Sequence, residues 1–163
     1  MAIKLIRIDD RLIHGQVASS WLRHVDAEQI LCVDDKAASN PVQQQVLKMA
    51  APDLKVHVFS VDRFIEIYNN QPIKRSTFIL ITSTSDALRL KEGGVDISYI
   101  NFGGMRSKEG RTSYDHDLSF SDKEMEDLHT LIKDGVKIDY QIAAYNEPVP
   151  ILDQLKEVGY ANE

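Results

Sequence analysis

The sequence predicts an α/β domain built on a doubly wound, mainly parallel sheet with helices on both faces. Short apolar segments alternate with segments whose apolar residues recur at helical spacing, which is the pattern of repeated strand–helix units. The segments 30–33 and 78–81 are continuously apolar, as expected for strands covered on both faces. The last strand alternates more weakly, which leaves room for an antiparallel edge strand.

Polar residues follow the predicted strands and mark one edge of the sheet. The predicted strands are 3–8, 30–33, 56–59, 78–81, 97–102 and 136–142, with a polar loop from 106 and a short strand ending at Phe120 before the last of them. Ligands of such folds bind beyond the carboxyl ends of the strands. We therefore expect the functional site at the polar segments 9–14, 34–35, 60, 82–85 and 101–105.

Capping residues and glycines delimit the predicted helices. Ser121 and Glu124 have the spacing of a capping box, and Pro41 stands in the first turn of another helix. Gly93-Gly94 ends a helix that follows 82–86, and a terminal helix is predicted over 148–158. The helix that begins at Pro41 has an apolar face formed by Val42, Val46, Met49 and Ala50.

The composition indicates a globular domain and excludes several functional classes. The chain has 163 residues, 43% hydrophobic and 27% charged, so we expect one domain over 1–163. A net charge of −6 argues against nucleic-acid binding. No apolar segment is long enough for a signal peptide or a membrane span. Cys32 is the one cysteine and cannot form an internal disulfide, which fits a reducing compartment.

The segment 7–17, between the first predicted strand and the first helix, carries the densest set of reactive side chains. His14 is the strongest candidate, because a neutral imidazole is a good nucleophile toward phosphorus. Arg7, Arg11 and the free N–H groups at the helix start would hold the phosphoryl charge, and Gly15 would let the backbone approach it. The alternative is an ordinary loop histidine beside a solvated salt bridge.

Other polar residues at this edge each allow a functional and a structural interpretation. Asp9 or Asp10 could accept the imidazole N–H, as a carboxylate does in hydrolase triads, or could hold an arginine or cap the helix. Gly103-Gly104 would form a phosphate nest or a simple tight turn. Ser83 offers a hydroxyl to a ligand or to a helix start.

No metal and no cofactor is assigned. The chain lacks Gly-x-Gly-x-x-Gly after the first strand and lacks a phosphate-loop Gly-Lys-Ser/Thr. Adjacent residues such as 115–117 (Asp-His-Asp) rarely point at one ion. Basic residues in two loops of an acidic chain instead favour a small anion as ligand. These residues are Arg7 and Arg11 in one loop, and Arg106, Lys108 and Arg111 in the other.

The segment 7–17, RIDDRLIHGQV, resembles the active-site segment of the IIB component of the mannose/fructose/sorbose family of the bacterial sugar phosphotransferase system. The resemblance extends over essentially the whole chain and implies a doubly wound α/β domain. Further matching pieces follow in the right order at Trp21, 33–35, 51–52, 68–70, 92–95 and 101–105.

The resemblance implies a phosphoryl carrier. His14 would accept a phosphoryl group from the phosphohistidine of a IIA domain and pass it to the 6-hydroxyl of a hexose-type sugar held by the membrane subunits IIC and IID. Arg11 would balance the developing charge, and Asp10 would hold an arginine or the imidazole. The residues expected to contact the phosphoryl group are Arg7, Ile13, Gly15, Ser83, Gly103 and Gly104.

The resemblance also implies the surroundings of the chain. Members of the family are cytoplasmic, associate peripherally with the membrane transporter complex and are often dimeric, so a homodimer is expected. The chain begins directly at the first strand without a IIA segment, which predicts a stand-alone subunit. Arg106, Lys108 and Arg111 would guide partner surfaces. Selectivity for the sugar would lie mainly in the membrane subunits.

Two other functions stay open at this point. A receiver-like signalling module would use the acidic residues after the first strand and Thr82 after the fourth, but it needs an aspartate after the third strand, where this chain has Ser60. A nonenzymatic ligand-binding domain would use the arginines to hold a sugar phosphate, with His14 as one contact.

Overall fold

A seven-stranded sheet and a separate two-stranded hairpin organise the computed structural model, which describes residues 2–161 without the side chains of residues 16 and 17. The strands are β1 Ile3–Asp9, β2 Gln29–Val33, β3 Lys55–Phe59, β4 Thr77–Ile81, β5 Tyr99–Gly104, β6 Thr112–Asp115, β7 Leu118–Phe120, β8 Lys137–Tyr140 and β9 Val149–Pro150. The helices are α1 Gly15–Val25, α2 Asp35–Ala38, α3 Pro41–Ala50, α4 Val61–Asn70, α5 Thr84–Glu92, α6 Asp122–Lys133 and α7 Ile151–Glu157.

The strand order of the main sheet is β3-β2-β4-β1-β5-β8-β9. All neighbouring pairs are parallel except the last, in which β9 runs antiparallel to β8. The predicted doubly wound α/β fold with an antiparallel edge is therefore confirmed. Because β1 lies between β4 and β5, the loop that follows β1 leaves the sheet near its middle, at the edge where the parallel strands end.

Alternate residues of the central strands face opposite sides of the sheet and contribute to two cores. In β4, Phe78 and Leu80 belong to the core beneath α1 and α3, whereas Ile79 and Ile81 belong to the core beneath α4, α5, α6 and α7. All residues of β4 are buried. Fully burying a side chain of this size contributes about 1.5–3 kcal/mol. This double coverage explains the continuous apolar run and holds the strand in register.

The apolar face predicted for α3 does not pack onto the sheet. Val42, Val46 and Met49 are 75%, 57% and 76% exposed, whereas Leu47 is 2% exposed and contacts the core. The reason is the short helix α2, which the sequence did not predict. The carbonyl groups of its last two residues accept hydrogen bonds of 3.0 and 3.1 Å from Nε2 of Gln44. These bonds turn the side of α3 that carries Gln44 and Leu47 inward.

The chain after the fifth strand is more regular than predicted. β5 continues through Gly103 and Gly104, which were expected to form a turn, and Met105 then bridges Leu118. The predicted polar loop contains the antiparallel hairpin of β6 and β7. The last parallel strand ends at Tyr140 rather than at 142, because the chain turns to place β9 beside it, and α7 begins only after β9.

Side-chain caps begin several of the helices, as their sequences indicate. Ser121 Oγ accepts a hydrogen bond from the backbone of Glu124, and Glu124 accepts one from the backbone of Ser121, which confirms the predicted capping box. Asn40 caps α3 through its side-chain oxygen. Within residues 2–161, no helix is long and apolar enough to cross a membrane.

Candidate active site

The loop between β1 and α1 places His14 after two buried residues. Leu12 and Ile13 are 3% and 4% exposed and belong to the core beneath α1. Leu12 has a φ of 60°, in the left-handed region, which costs a residue other than glycine roughly 1–3 kcal/mol. Burial of its side chain contributes about 1.5–3 kcal/mol in return. The apolar residues thus fix the loop, while the side chain of His14 is 21% exposed and accessible.

Asp9 orients the imidazole of His14. Its Oδ2 lies 3.1 Å from Nε2 of His14, and its Oδ1 accepts hydrogen bonds from the backbone N–H of Arg11 (3.0 Å) and from Nη1 of Arg106 (2.8 Å). Burial raises the pKa of Asp9, but the hydrogen bond with His14 and the charge of Arg106 outweigh it and hold the pKa below its ordinary value. The ionised carboxylate only accepts hydrogen bonds, so neutral His14 carries its proton on Nε2 and its free lone pair on Nδ1.

The start of α1 supplies backbone N–H groups beside His14. His14 is the N-cap residue in extended conformation, and its own side chain forms no capping hydrogen bond within the described part of the chain. The first turn has no acidic residue, and Gly15 begins it with a φ of 48°. The N–H groups of a first helical turn lack intrahelical acceptors and favour an anion. This arrangement can hold negative charge next to the imidazole.

Asp10, expected among the catalytic residues, binds two arginines. Its Oδ1 lies 3.0 Å from Nη1 of Arg106, and its Oδ2 accepts hydrogen bonds from the backbone of Arg106 (2.8 Å) and from Nη1 of Arg111 (2.9 Å). Arg111 also forms a bidentate pair with Glu124, at 2.8 and 2.9 Å. Of the two roles left open for Asp10, holding arginines is the one that the structure shows.

Arg7, expected to contact a phosphoryl group, uses its N–H donors inside the protein. It is 1% exposed, and it donates a hydrogen bond to Oδ1 of Asn101. It also donates to the carbonyl groups of Gln141 and Ile142, and each of these two hydrogen bonds is 2.7 Å long. Its guanidinium lies 4.3 Å above the ring of Trp21. Burial lowers the pKa of Arg7 to about 10, so it is still a cation at neutral pH. Arg7 therefore links β1 to the segment after β8. Its guanidinium is buried among these partners rather than exposed to a phosphate ligand.

The two glycines of β5 make room for arginines. A Cβ on Gly103 would lie 2.2 Å from Nη2 of Arg7, and a Cβ on Gly104 would lie 2.8 Å from Cζ of Arg106. A side chain at either position would force the neighbouring arginine to shift, so both glycines serve close packing; whether they also bind phosphate, as the sequence predicts, stays a prediction. Ser83 caps α5, the structural role that its sequence position allows, since its Oγ accepts a hydrogen bond of 3.1 Å from the backbone N–H of Asp86.

Arg11 is the basic residue of this loop that stays available for a ligand. Its backbone N–H is bonded to Asp9, but its side chain is exposed. Among residues 2–161, no hydrogen bond or ion pair of its guanidinium is found. Of the two arginines expected near the phosphoryl group, Arg11 is therefore the one whose guanidinium is exposed and without a partner among the described residues.

A polar cleft of about 680 Å³ opens beside Asp10 and Leu12. In it, Thr82 Oγ1 lies 2.8 Å from a carboxylate oxygen of Asp34 and 3.2 Å from one of Asp86. Burial raises the pKa of Asp86. The cleft is also lined by the basic residues Lys36, Lys108 and Arg111, but acidic side chains outnumber them, so the net charge of the lining is unfavourable for an anion.

Sequence reasoning did not find the contact between Arg106 and Asp9. The two residues are 97 positions apart, and Arg106 was expected to guide a partner surface. The available signal was its position two residues after the end of the fifth strand. Because β5 neighbours β1, side chains that follow these strands meet at the same edge of the sheet.

Comparisons with known proteins find the same family over nearly the whole chain. Residues 3–162 match the family model for the PTS system sorbose subfamily IIB component. The sorbose-specific EIIB component of Klebsiella pneumoniae is 35% identical over 162 residues, covering 98% of this chain and 99% of that protein. The mannose-specific EIIAB component of Escherichia coli K12 is 33% identical over 97% of this chain, which spans only 50% of that longer protein.

A solved structure supports the same relationship. The crystal structure of the IIBSor domain of the sorbose permease from Klebsiella pneumoniae has a TM-score of 0.89 and 34% sequence identity, covering 99% of this chain and 100% of that one. The family model and this relative together cover the fold and the candidate site. The chain therefore belongs to the sorbose subfamily of IIB components of the phosphotransferase system.

Proposed function

We propose that His14 is the phosphoryl carrier of this chain. It accepts a phosphoryl group from the phosphohistidine of a IIA domain and passes it to the 6-hydroxyl of a hexose-type sugar held by IIC and IID. The observation that carries the proposal is the 3.1 Å contact between His14 Nε2 and the buried Asp9, beside a helix start that the His14 side chain does not cap. In this arrangement the imidazole of His14, as the nucleophile, lies next to the start of α1, which can bind an anion.

In the first step, the lone pair on Nδ1 of His14 attacks the phosphorus atom of the donor. The new Nδ1–P bond forms as the bond to the donor imidazole breaks, and that electron pair returns to the donor nitrogen. The ring of His14 gains positive charge, which the ionised Asp9 balances through the Nε2–H bond. Such transfers depend mainly on positioning and charge stabilisation.

Backbone and side-chain donors then hold the phosphoryl oxygens. The N–H groups of the first turn of α1, beginning at Gly15, bind the phosphoryl oxygens in this proposal, because they lack intrahelical acceptors. Arg11 adds a guanidinium that has no competing partner among the described residues. Arg7 supports the site from beneath by fixing β1, and Asp10 supports it by holding Arg106.

In the second step, the oxygen of the sugar 6-hydroxyl attacks the phosphorus atom. The Nδ1–P bond breaks, its electron pair returns to Nδ1, and the hydroxyl proton leaves to water or to a base of the sugar-binding partner. His14 is then neutral again, with its proton on Nε2 and Asp9 as acceptor.

Phosphoryl transfer from a defined donor tests this function. The chain is incubated with phosphoenolpyruvate, the general phosphocarrier proteins and a matching IIA protein, and the label is mapped. We expect acid-labile, base-stable phosphate on His14, with none in His14→Ala. Label on an aspartate would indicate a receiver-like module instead, and absence of label with a competent donor would indicate a binding domain.

A further inference from the structure

Arg106 connects the carboxylate that faces His14 with two other acidic side chains. Its Nη1 lies 2.8 Å from Oδ1 of Asp9 and 3.0 Å from Oδ1 of Asp10. Its Nη2 lies 3.3 Å from Oδ1 of Asp117, in the turn between β6 and β7. One guanidinium thus joins the β1 loop to the hairpin that follows β5.

The two oxygens of Asp9 have different partners. Oδ2 faces Nε2 of His14, whereas Oδ1 is held by Arg106 and by the backbone N–H of Arg11. Nη2 of Arg7 lies 3.9 Å from Oδ2, just beyond direct hydrogen-bond distance. If Arg106 were absent, the buried carboxylate would turn toward Arg7, because a buried charge is stabilised most by a direct ionic partner. His14 would then lose its acceptor.

We propose that Arg106 is a positioning residue for phosphoryl transfer at His14. By holding Oδ1 of Asp9, it keeps Oδ2 directed at Nε2 of His14 and so keeps the lone pair on Nδ1. This role rests on the proposed function of His14 as phosphoryl acceptor. Arg106 acts through Asp9, and none of its contacts within residues 2–161 is with His14 itself.

The surroundings of Arg106 fix the direction of its guanidinium. Its backbone N–H donates to Oδ2 of Asp10 at 2.8 Å, and the missing side chain of Gly104 leaves space for Cζ. Its Nε is buried and has no hydrogen-bond partner within the described part of the chain. An unpaired buried donor is unfavourable. The ion pairs with the carboxylates therefore set the orientation of the guanidinium, although this orientation leaves the Nε–H group unpaired.

Three variants test the role of Arg106. Arg106→Met removes the cation but keeps much of the side-chain volume, and Arg106→Lys keeps a cation without the planar fork. Arg111→Met is the matched control, because the buried Arg111 side chain binds the same Asp10, the backbone carbonyl group of Arg106 and Glu124, but has no contact with Asp9. Thermal unfolding of each variant shows how much stability it has lost.

The primary readout is the ring tautomer of His14 in the unphosphorylated chain, measured by ¹⁵N–¹H NMR well above the ordinary histidine pKa of about 6.5. We expect the Nε2–H tautomer in the wild type, a mixture in Arg106→Met, and partial recovery in Arg106→Lys. Single-turnover transfer from IIA should fall roughly 10- to 100-fold in Arg106→Met, as misplaced reacting groups do, with the concentration dependence on IIA little changed.

The outcomes separate this role from the proposed function. If Arg106→Met keeps the wild-type tautomer and transfer rate, or if Arg111→Met shifts the tautomer equally, the positioning role is overturned. If the wild type takes no label on His14, the proposed function fails, and the role of Arg106 in transfer fails with it. A wild type labelled on His14, together with a tautomer change confined to the Arg106 variants, supports both.

Discussion

Replacing Asp9 by asparagine should reverse the protonation of His14. Oδ1 of Asp9 receives two N–H donors, from the backbone of Arg11 at 3.0 Å and from Arg106 at 2.8 Å. The amide oxygen of Asn must therefore take the Oδ1 position, which places its NH₂ group where Oδ2 faces Nε2 of His14. Nε2 then becomes an acceptor, the proton moves to Nδ1, and the proposed nucleophile loses its lone pair.

The same change in a hydrolase triad, where the wrong tautomer results, lowers the rate about 10,000-fold. We expect a decrease of about 1,000- to 10,000-fold for Asp9→Asn, which corresponds to about 4–5 kcal/mol of transition-state stabilisation. Stability should fall less, by about 1–3 kcal/mol, because Arg106 keeps Asp10 and Asp117 as partners. Single-turnover transfer from IIA measures the first quantity, and denaturant unfolding measures the second.

Asp10→Asn is the matched control for this experiment. Asp10 binds Arg106 and Arg111 but does not hydrogen-bond to His14. The control should lose stability to a similar degree while transferring the phosphoryl group far faster than Asp9→Asn. Transfer by Asp9→Asn within about tenfold of the wild-type rate, or an Nε2–H tautomer of His14 in that variant, would refute the proposed role of Asp9.

Three further predictions concern neighbouring groups. Arg11→Ala should slow transfer by roughly 10- to 100-fold, with unfolding free energy changed by less than about 0.5 kcal/mol because its side chain is exposed; equal transfer rates would contradict its role. Gly103→Ala should destabilise the fold by about 1–3 kcal/mol in denaturant unfolding, since its Cβ would lie 2.2 Å from Nη2 of Arg7; an unchanged midpoint would contradict this packing. The pKa of Asp9 is held below its ordinary value, despite burial, by His14 and Arg106. The contribution of ionised Asp9 to the free energy of unfolding is therefore complete above the ordinary pKa of about 3.9, and it is lost as the pH falls through the lower pKa of the folded state. The wild type should therefore lose more stability than Asp9→Asn between about pH 5 and pH 2, as measured by denaturant unfolding.

Much of the fold follows from local signals in the sequence. The buried run in β4 and the capping box at Ser121 and Glu124 each specify an element without long-range information. The face of α3 does not, because the helix turns according to α2, whose carbonyl groups bind Gln44. Periodicity identifies an apolar face such as that of Val42 and Met49, but it does not show whether another element covers that face.

The residues of the candidate site also differ in whether local sequence is enough to predict their role. Position after β1 and before α1 makes His14 a candidate, the chemistry of a helix start adds a possible anion site, and the family resemblance is what favours a phosphoryl carrier over an ordinary loop histidine. The partners of the arginines depend on strand order instead. Arg7 reaches Asn101 and the segment after β8 because β5 and β8 lie on that side of β1. Nothing in the local sequence distinguishes such a buried guanidinium from the exposed one of Arg11.

The position of the phosphoryl group on the imidazole ring tests the central claim most directly. The ¹⁵N-labelled chain is phosphorylated through IIA, and the coupling between ³¹P and the ring nitrogens identifies the phosphorylated atom. Since Nε2 of His14 is bonded to Asp9, we predict phosphate on Nδ1, with a proton retained on Nε2. Phosphate on Nε2 of His14, or on any other residue, would contradict the account.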